Sequence, residues 1–197
     1  MKTTAVLILA AGASKRMGTA KQLLPYKHTT LLGATIEEVL ALKNTDVYVV
    51  LGARSDAVST SIAAYPVTTL VHLEWEQGLG ASLAFGVKNL QGYDRILVVL
   101  ADQPFINKKH YQNLLSKSLE SKESLVATEF QDLVSVPAVF TEPYFTALMQ
   151  CTGGKGARSL FVKHKNQLST VQLPEVYRDI DLPEDYKKLL EEGGQTD

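Results

Sequence analysis

Residues 4–25 read TAVLILAAGASKRMGTAKQLLP, an apolar run that breaks into a loop carrying two glycines, a serine, an arginine and two lysines. Three readings compete for it: a secretory signal, a core strand with a solvated turn, or a strand that delivers its loop to the phosphates of a nucleotide. Lys2, the run Ala5–Ala11 and the stretch Ala11-Gly12-Ala13 imitate the basic, apolar and cleavage regions of a signal peptide. Against that, the run is at the lower limit of length for such a core, and Lys15, Arg16 and Lys21 crowd in just behind the supposed cut. The single cysteine, Cys151, also disagrees with a secreted chain of this size, which usually carries paired cysteines. The chain is therefore read as cytoplasmic.

Composition narrows the field further. A chain of 197 residues reads as one domain, 1–197, able to bury about 70% of the surface its unfolded form exposes. Hydrophobic residues at 45% and charged residues at 21% are globular values, and no apolar stretch approaches the ~20 residues that cross a bilayer. A net charge of −1 supplies no long-range field for nucleic acid or an anionic membrane. Neither is expected as a partner, and any polyanion must meet a local cluster of cations. A small-molecule ligand is expected.

Working outward from the opening stretch, short apolar runs alternate with helical spacing. Val6–Leu9, Val47–Leu51, Leu70–His72, Ile96–Leu100, Leu125–Ala127 and Val136–Phe140 read as strands, mostly apolar throughout, as buried parallel strands are. Thr30–Lys43, Asp56–Ala64, Gly80–Leu90, Lys108–Lys117, Pro143–Met149 and Pro183–Glu192 read as helices, the last with proline in its first turn, Gly193-Gly194 after it and a frayed GGQTD tail. This rhythm predicts a doubly wound α/β fold. In 128–142 the reading stays open between two strands and one strand with a loop, and Pro137 calls for an edge strand or a bulge.

Ligands of open α/β sheets sit beyond the carboxyl ends of the strands, so the loops there are where chemistry is expected. In the first, Gly12 and Gly18 let the backbone approach an anion, while Arg16 and Lys21 bring charge-assisted donors to phosphate oxygens. The spacing matches neither a Walker A loop nor G-x-G-x-x-G, and a plain basic turn remains open. In VVLADQPFI, Asp102 ends a buried strand and is followed by Gln103 and Pro104. A carboxylate there can hold Mg²⁺ opposite phosphates. The competing use is to cap the next helix, for which Asn107 is better placed.

With these two stretches in order along the chain, LILAAGASKRMGTAKQLLP and VVLADQPFI, the sequence resembles the MobA-like nucleotidyltransferase family, most closely its molybdenum cofactor cytidylyltransferases. The resemblance implies a Rossmann-like three-layer α/β/α sandwich with a mostly parallel sheet. It places Leu9, Ala10, Ala11, Gly12, Arg16 and Lys21 on a nucleoside triphosphate and Asp102 on Mg²⁺, with Arg16, Lys21 and Asp102 carrying the transfer. Ala11, where relatives that use GTP carry glycine, leans the base towards CTP. WEQGLGASLAFGV resembles the family's glycine loop and helix, which puts Gly78, Gly80 and Ser82 near the base or ribose; read from the residues alone, a glycine-rich turn with Ser82 in the first turn of a helix explains them better. DIDLPEDY resembles a stretch in which Asp179 or Asp181 is the second metal carboxylate. Asp181 is favoured, although it would also serve as a helix N-cap. By the resemblance Arg54, after VYVVLGA, would lie at the rim beside the nucleotide; an exposed arginine near the start of a helix stays open.

The implied reaction is attack by an acceptor's phosphate oxygen on the α-phosphorus of the nucleotide, with release of pyrophosphate. Gln103, Lys155 and Arg158 are expected on the phosphorylated acceptor, which the resemblance suggests is molybdopterin; a solvated basic loop accounts for Lys155 and Arg158 equally. Here the chain departs from the family: Gly153-Gly154-Lys155-Gly156-Ala157-Arg158 has Gly154 where an acidic residue is expected, and Ser135-Val136-Pro137 replaces a G-x-P turn. The nucleotide half is left whole and the acceptor half altered. Two alternatives stay open: transfer to another acceptor such as a sugar phosphate, and a non-catalytic nucleotide-binding module that hands cofactor to a molybdoenzyme partner. The four histidines show no metal spacing and are read as structural.

Overall fold

The opening apolar run becomes the central strand of a seven-stranded sheet. In the computed structural model, which describes residues 4–90, 92–120, 124–173 and 179–193, β1 (Thr4–Ala10) pairs in parallel with β4 (Thr45–Leu51) on one side and β6 (Arg95–Leu100) on the other. The strand order is β5-β4-β1-β6-β8-β7-β9, with β5 (Thr68–Val71), β7 (Leu125–Phe130), β8 (Leu133–Thr141) and β9 (Leu168–Gln172) completing it. A cleaved leader cannot be the strand on which both halves of a sheet are built, so the signal reading of Ala5–Ala11 fails.

Because successive side chains of a strand face opposite ways, the unbroken apolar run of β1 serves two cores. Val6, Ile8 and Ala10 pack into a layer with α1 (Leu31–Leu40), α2 (Ser55–Ser61) and α4 (Lys108–Ser118). Ala5, Leu7, Leu9 and Ala11 face a second layer with α3 (Leu79–Lys88), α5 (Phe145–Leu148) and α6 (Arg158–Lys163). This is the expected three-layer α/β/α sandwich. Gly86 of α3 belongs to that packing: a Cβ there would stand 2.7 Å from the Leu7 side chain.

The sheet departs from the parallel expectation where Pro137 lies. β8 is antiparallel to both β6 and β7, which form its two flanks, so Pro137 is on an internal strand rather than an edge. The bulge alternative holds, since the β7–β8 register shifts between Ala127 and Thr128. Residues 128–142 are thus the arms of a hairpin, turned at Gln131 with φ +48°. The half-buried β9, the helix α6 and a two-strand hairpin, β2 (Pro25–Tyr26) and β3 (Thr29–Thr30), escaped the pattern. Gly193 closes α7 (Pro183–Gly193) as its last residue, and the expected frayed tail beyond it lies outside the described residues.

The β2–β3 hairpin gives the C-terminal segment its seat. Tyr26, Leu31, Ile180 and Leu189 form a small separate core, and Tyr186 of α7 donates to the Pro25 carbonyl at 2.6 Å. Ile180 N–H also donates to the Asp102 carbonyl at 3.0 Å. These contacts bring Asp179 and Asp181 over the carboxyl end of β6.

Candidate active site

Beyond the carboxyl ends of β1 and β6 lies an open cavity of about 580 Å³, lined among others by Leu9, Ala10, Ala11, Gly12, Arg16, Lys21, Asp102 and Asp181. Residues far apart in sequence therefore converge as the site reading expected. The loop after β1 is held by side chains that the sequence did not single out. Gln22, 2% exposed, donates from Nε2 to the carbonyls of Ala10 and Gly12, both at 2.8 Å. Ser14, in the left-handed region at φ 53°, accepts from the Lys21 amide at 3.1 Å. With two of its carbonyls engaged from below, the loop is braced at the Ala11 and Gly12 positions where an anion would approach.

Lys21 joins the charged groups. Its ammonium pairs with Asp102 and, at 3.1 Å, with Asp181, while Arg16 reaches Asp181 at 2.8 Å. Burial acts to lower the Lys21 pKa, but Asp102 and then Asp181 outweigh it, and the net direction is up. Burial pushes the Asp102 carboxyl up; Lys21 opposes the rise, while Asp179 and Asp181 add to it. The two directions agree once Lys21 is seen to be divided between two carboxylates, so that neither has a whole counter-charge. For Asp181, burial again acts upward, yet Lys21 and Arg16 prevail and hold it low.

The competing helix-cap uses are resolved by geometry. Asn107 accepts from His110 N–H at 3.2 Å as the cap of α4. At α7 the capping carboxylate is Asp185, which takes the amides of Asp181 and Leu182 at 3.1 and 2.8 Å. This is the backward half of a capping box. Asp102 and Asp181 are thereby left to face the cavity.

Two expectations, on Gln103 and Gly80, need correction, and for Arg54 the exposed alternative is the one seen. Gln103 is 1% exposed and turned into the protein, where Nε2 donates to Asp179 at 3.0 Å and to the Val136 carbonyl at 3.4 Å. It braces the segments around the site rather than reaching substrate. Gly80 is packed against the backbone: a Cβ there would come within 2.5 Å of the Thr152 carbonyl oxygen. Its role is close approach, while Gly78, with φ +101°, and Ser82 line the cavity. Arg54 is exposed ahead of α2 and does not line it. Trp75 does, packed over Gly52, where a Cβ would lie 2.5 Å from that of Trp75.

A second cavity of about 330 Å³ adjoins the first, sharing Leu9, Leu79, Leu100, Gly154 and Asp179 as walls. Its floor is apolar, with Val134, Val136 and Phe161, and both Lys155 and Arg158 line it. The fold thus offers two neighbouring compartments, one under a braced loop and one with two cations, and Asp179 in the wall between them.

Residues 6–168 match the model of the MobA-like NTP transferase domain. The chain belongs to the MobA-like nucleotidyltransferase family. Among curated relatives, it is 30% identical over 165 residues to nicotine blue oxidoreductase of Paenarthrobacter nicotinovorans, covering 81% of each chain. It is 28% identical over 194 residues to purine catabolism protein PucB of Bacillus subtilis, covering 91% of this chain and 92% of PucB. The solved structure of Rv0371c from Mycobacterium tuberculosis H37Rv superposes with a TM-score of 0.87 at 28% identity, over 96% of this chain and 98% of that one. Rv0371c has also been solved in complex with manganese, with a TM-score of 0.82 at 26% identity over 96% and 99%.

For a MobA-like protein the question is whether these residues suit a divalent cation. Among the described residues, no group of three or more His, Cys, Asp or Glu side chains forms a ready cage. Mg²⁺, however, usually takes one or two carboxylates and completes its shell with waters and phosphate oxygens. Oδ1 of Asp102 is buried without a hydrogen-bond partner, an acceptor with an unused direction that would otherwise cost stability. The cavity is lined by carboxylates at 76, 102, 179 and 181 against cations at 15, 16 and 21. The donor set fits a hard divalent cation.

Proposed function

We propose that this chain transfers CMP from CTP to a phosphorylated small-molecule acceptor, releasing pyrophosphate, with Mg²⁺ held by Asp102 and Asp181. The observation that carries the reading is the Lys21 ammonium set between those two carboxylates beneath the braced loop after β1. Leu9, Ala10, Ala11 and Gly12 supply the backbone wall, and Arg16 and Lys21 receive the charge of the triphosphate. Once phosphates arrive, Lys21 exchanges a carboxylate for a phosphate oxygen and lies where charge grows during transfer. The metal, when bound, would neutralise phosphate charge and leave the acceptor's own anionic oxygen as nucleophile, so that no general base is required. Alignment is the protein's larger task.

Lys155 and Arg158 on the second cavity suit the acceptor's phosphate, and the apolar floor suits a flat or aliphatic body. Molybdopterin is the first acceptor to test, with a molybdoenzyme as downstream partner. Ala11, in the wall of the larger cavity, supports the preference for CTP over GTP by adding a methyl group that narrows the base site. No helix among the described residues is long and apolar enough to cross a membrane, and we place the reaction in the cytoplasm. The oxidoreductase name of the 30% relative stays with that protein: the loop here is not G-x-G-x-x-G, and the cavity gathers carboxylates and cations suited to a metal and phosphates.

The test is calorimetric titration with CTP, GTP, ATP and UTP, each with and without Mg²⁺, followed by pyrophosphate release over a panel of phosphorylated pterins, alcohols and sugars. Mg²⁺-enhanced binding of CTP over GTP, with release on one acceptor, is expected. Absence of nucleotide binding at every metal level refutes the proposal. Binding without release on any acceptor favours the non-catalytic module.

A further inference from the structure

We propose that His72 is a positioning residue for the nucleoside end of the larger cavity, acting through the Ser82 hydroxyl; this rests on the nucleotide reading above. His72 follows β5, and its amide extends the sheet by donating to the Leu51 carbonyl at 2.8 Å. The ring is 6% exposed, stacked on Phe85 of α3 at 4.7 Å between centroids. Its Nδ1 lies 3.2 Å from Oγ of Ser82, one turn earlier on that helix. Ser82 in turn lines the larger cavity.

The Ser82 hydroxyl behaves unlike others on helices of this protein. Thr35, Thr60, Ser61 and Ser118 donate back to a carbonyl three or four residues earlier, the usual use of a hydroxyl within a helix. Ser82 is paired with an imidazole from a neighbouring strand end instead. Burial lowers the His72 pKa, with only Glu74 acting upward, which favours the neutral ring, and its Nδ1 makes one hydrogen bond with Oγ whose direction follows the tautomer. The pairing holds the serine rotamer and leaves the remaining capacity of Oγ for a ligand.

That ligand group belongs to the nucleoside. The cations of the cavity, Lys15, Arg16 and Lys21, come from the loop after β1, while Trp75, Gly78, Leu79 and Ser82 form a wall without positive charge. A hydroxyl of fixed direction on this wall suits a ribose hydroxyl or a base edge. The residue that fixes it affects recognition without touching the ligand.

The experiment is a double-mutant cycle read by calorimetry with two probes, CTP and inorganic triphosphate, both with Mg²⁺. His72→Phe keeps a ring on Phe85 and removes the nitrogen. It is expected to weaken CTP about three- to tenfold, the net worth of one hydrogen bond, and to leave triphosphate binding unchanged. His72→Asn should restore most of the loss, and His72→Phe should add nothing once Ser82→Ala is present. Equal weakening of both probes, additivity in the double variant or an unchanged CTP affinity overturns the proposal. If His72→Phe does not fold, Ser82→Ala alone decides: it must weaken CTP but not triphosphate and must shift the ring-nitrogen NMR signals of His72, and failure of either is refuting. Wild-type protein that binds triphosphate but no nucleotide removes the nucleotide reading and this inference together, an outcome distinct from a failed cycle.

Discussion

The ammonium of Lys21 stands 3.1 Å from Oδ1 of Asp181 while also holding Asp102, so one flexible cation joins the end of β6 to the segment before α7. Asp102 is the more costly partner, because burial and neighbouring carboxylates push its pKa up. A raised carboxyl pKa means that the ionised form at neutral pH works against folding. Asp102→Asn is therefore expected to abolish pyrophosphate release and yet raise Tm by about 2–4 °C, the shift that roughly 1 kcal/mol produces in a domain of this size. Parallel activity and melting measurements check it. Retained metal-dependent turnover would sink the metal assignment, and a lowered Tm would sink the electrostatic account.

Gln22 engages the carbonyls of Ala10 and Gly12 with one amide nitrogen. Gln22→Leu keeps bulk but leaves the buried Ala10 carbonyl, and the Gly12 carbonyl beside it, without that donor, a loss of about 1–3 kcal/mol in stability. The larger expected effect is a rise of tenfold or more in KM for nucleotide, with KM for acceptor little changed. Steady-state kinetics varying each substrate in turn distinguishes this from a general loss of fold, which would reduce active protein without separating the two constants.

Gly80 tests how the glycine-rich segment holds the two compartments together. A Cβ at this position meets backbone of Thr152 rather than a movable side chain, so Gly80→Ala should push α3 away from residues 152–158. Overpacking of this kind costs about 1–3 kcal/mol. Activity should fall mainly through KM for the acceptor, because Lys155 and Arg158 ride on the displaced segment. Unchanged stability and kinetics would show that the segment yields freely.

What could be read in the sequence follows from how local each signal is. The β1 run, its loop and Asp102 were legible because continuous burial, glycine freedom and a carboxylate at a strand end are local properties. β9 was missed because its half-buried residues have neither an unbroken apolar run nor strict alternation. The internal position of Pro137 depends on pairing with β6 and β7, which a single stretch cannot announce. Gln22 gave no signal at all, since a glutamine after a lysine looks like any solvated turn until the fold buries it. Asp185 gave no signal either: three residues before it stands Leu182, and the capping pattern in this stretch pairs Asp181 with Glu184, so only the fold shows that Asp185 takes the capping role.

His110 provides a pH readout away from the site. It is 5% exposed, and burial lowers its pKa from the ordinary 6.5. Thr128 Oγ1 donates to the Pro137 carbonyl at 2.8 Å, so it accepts from Nε2–H of His110, also at 2.8 Å. A histidine with a depressed folded-state pKa is protonated first in the unfolded chain. Its contribution is therefore whole above pH ~6.5 and is lost as pH falls from there towards the folded-state value. Wild-type Tm should decline over that acid range. His110→Gln, which can still donate to Thr128, should flatten this part of the Tm–pH curve while lowering Tm at pH 8. Thermal melts of both proteins from pH 8 to pH 5 decide the point: parallel curves would mean that His110 titrates alike in the folded and unfolded chains.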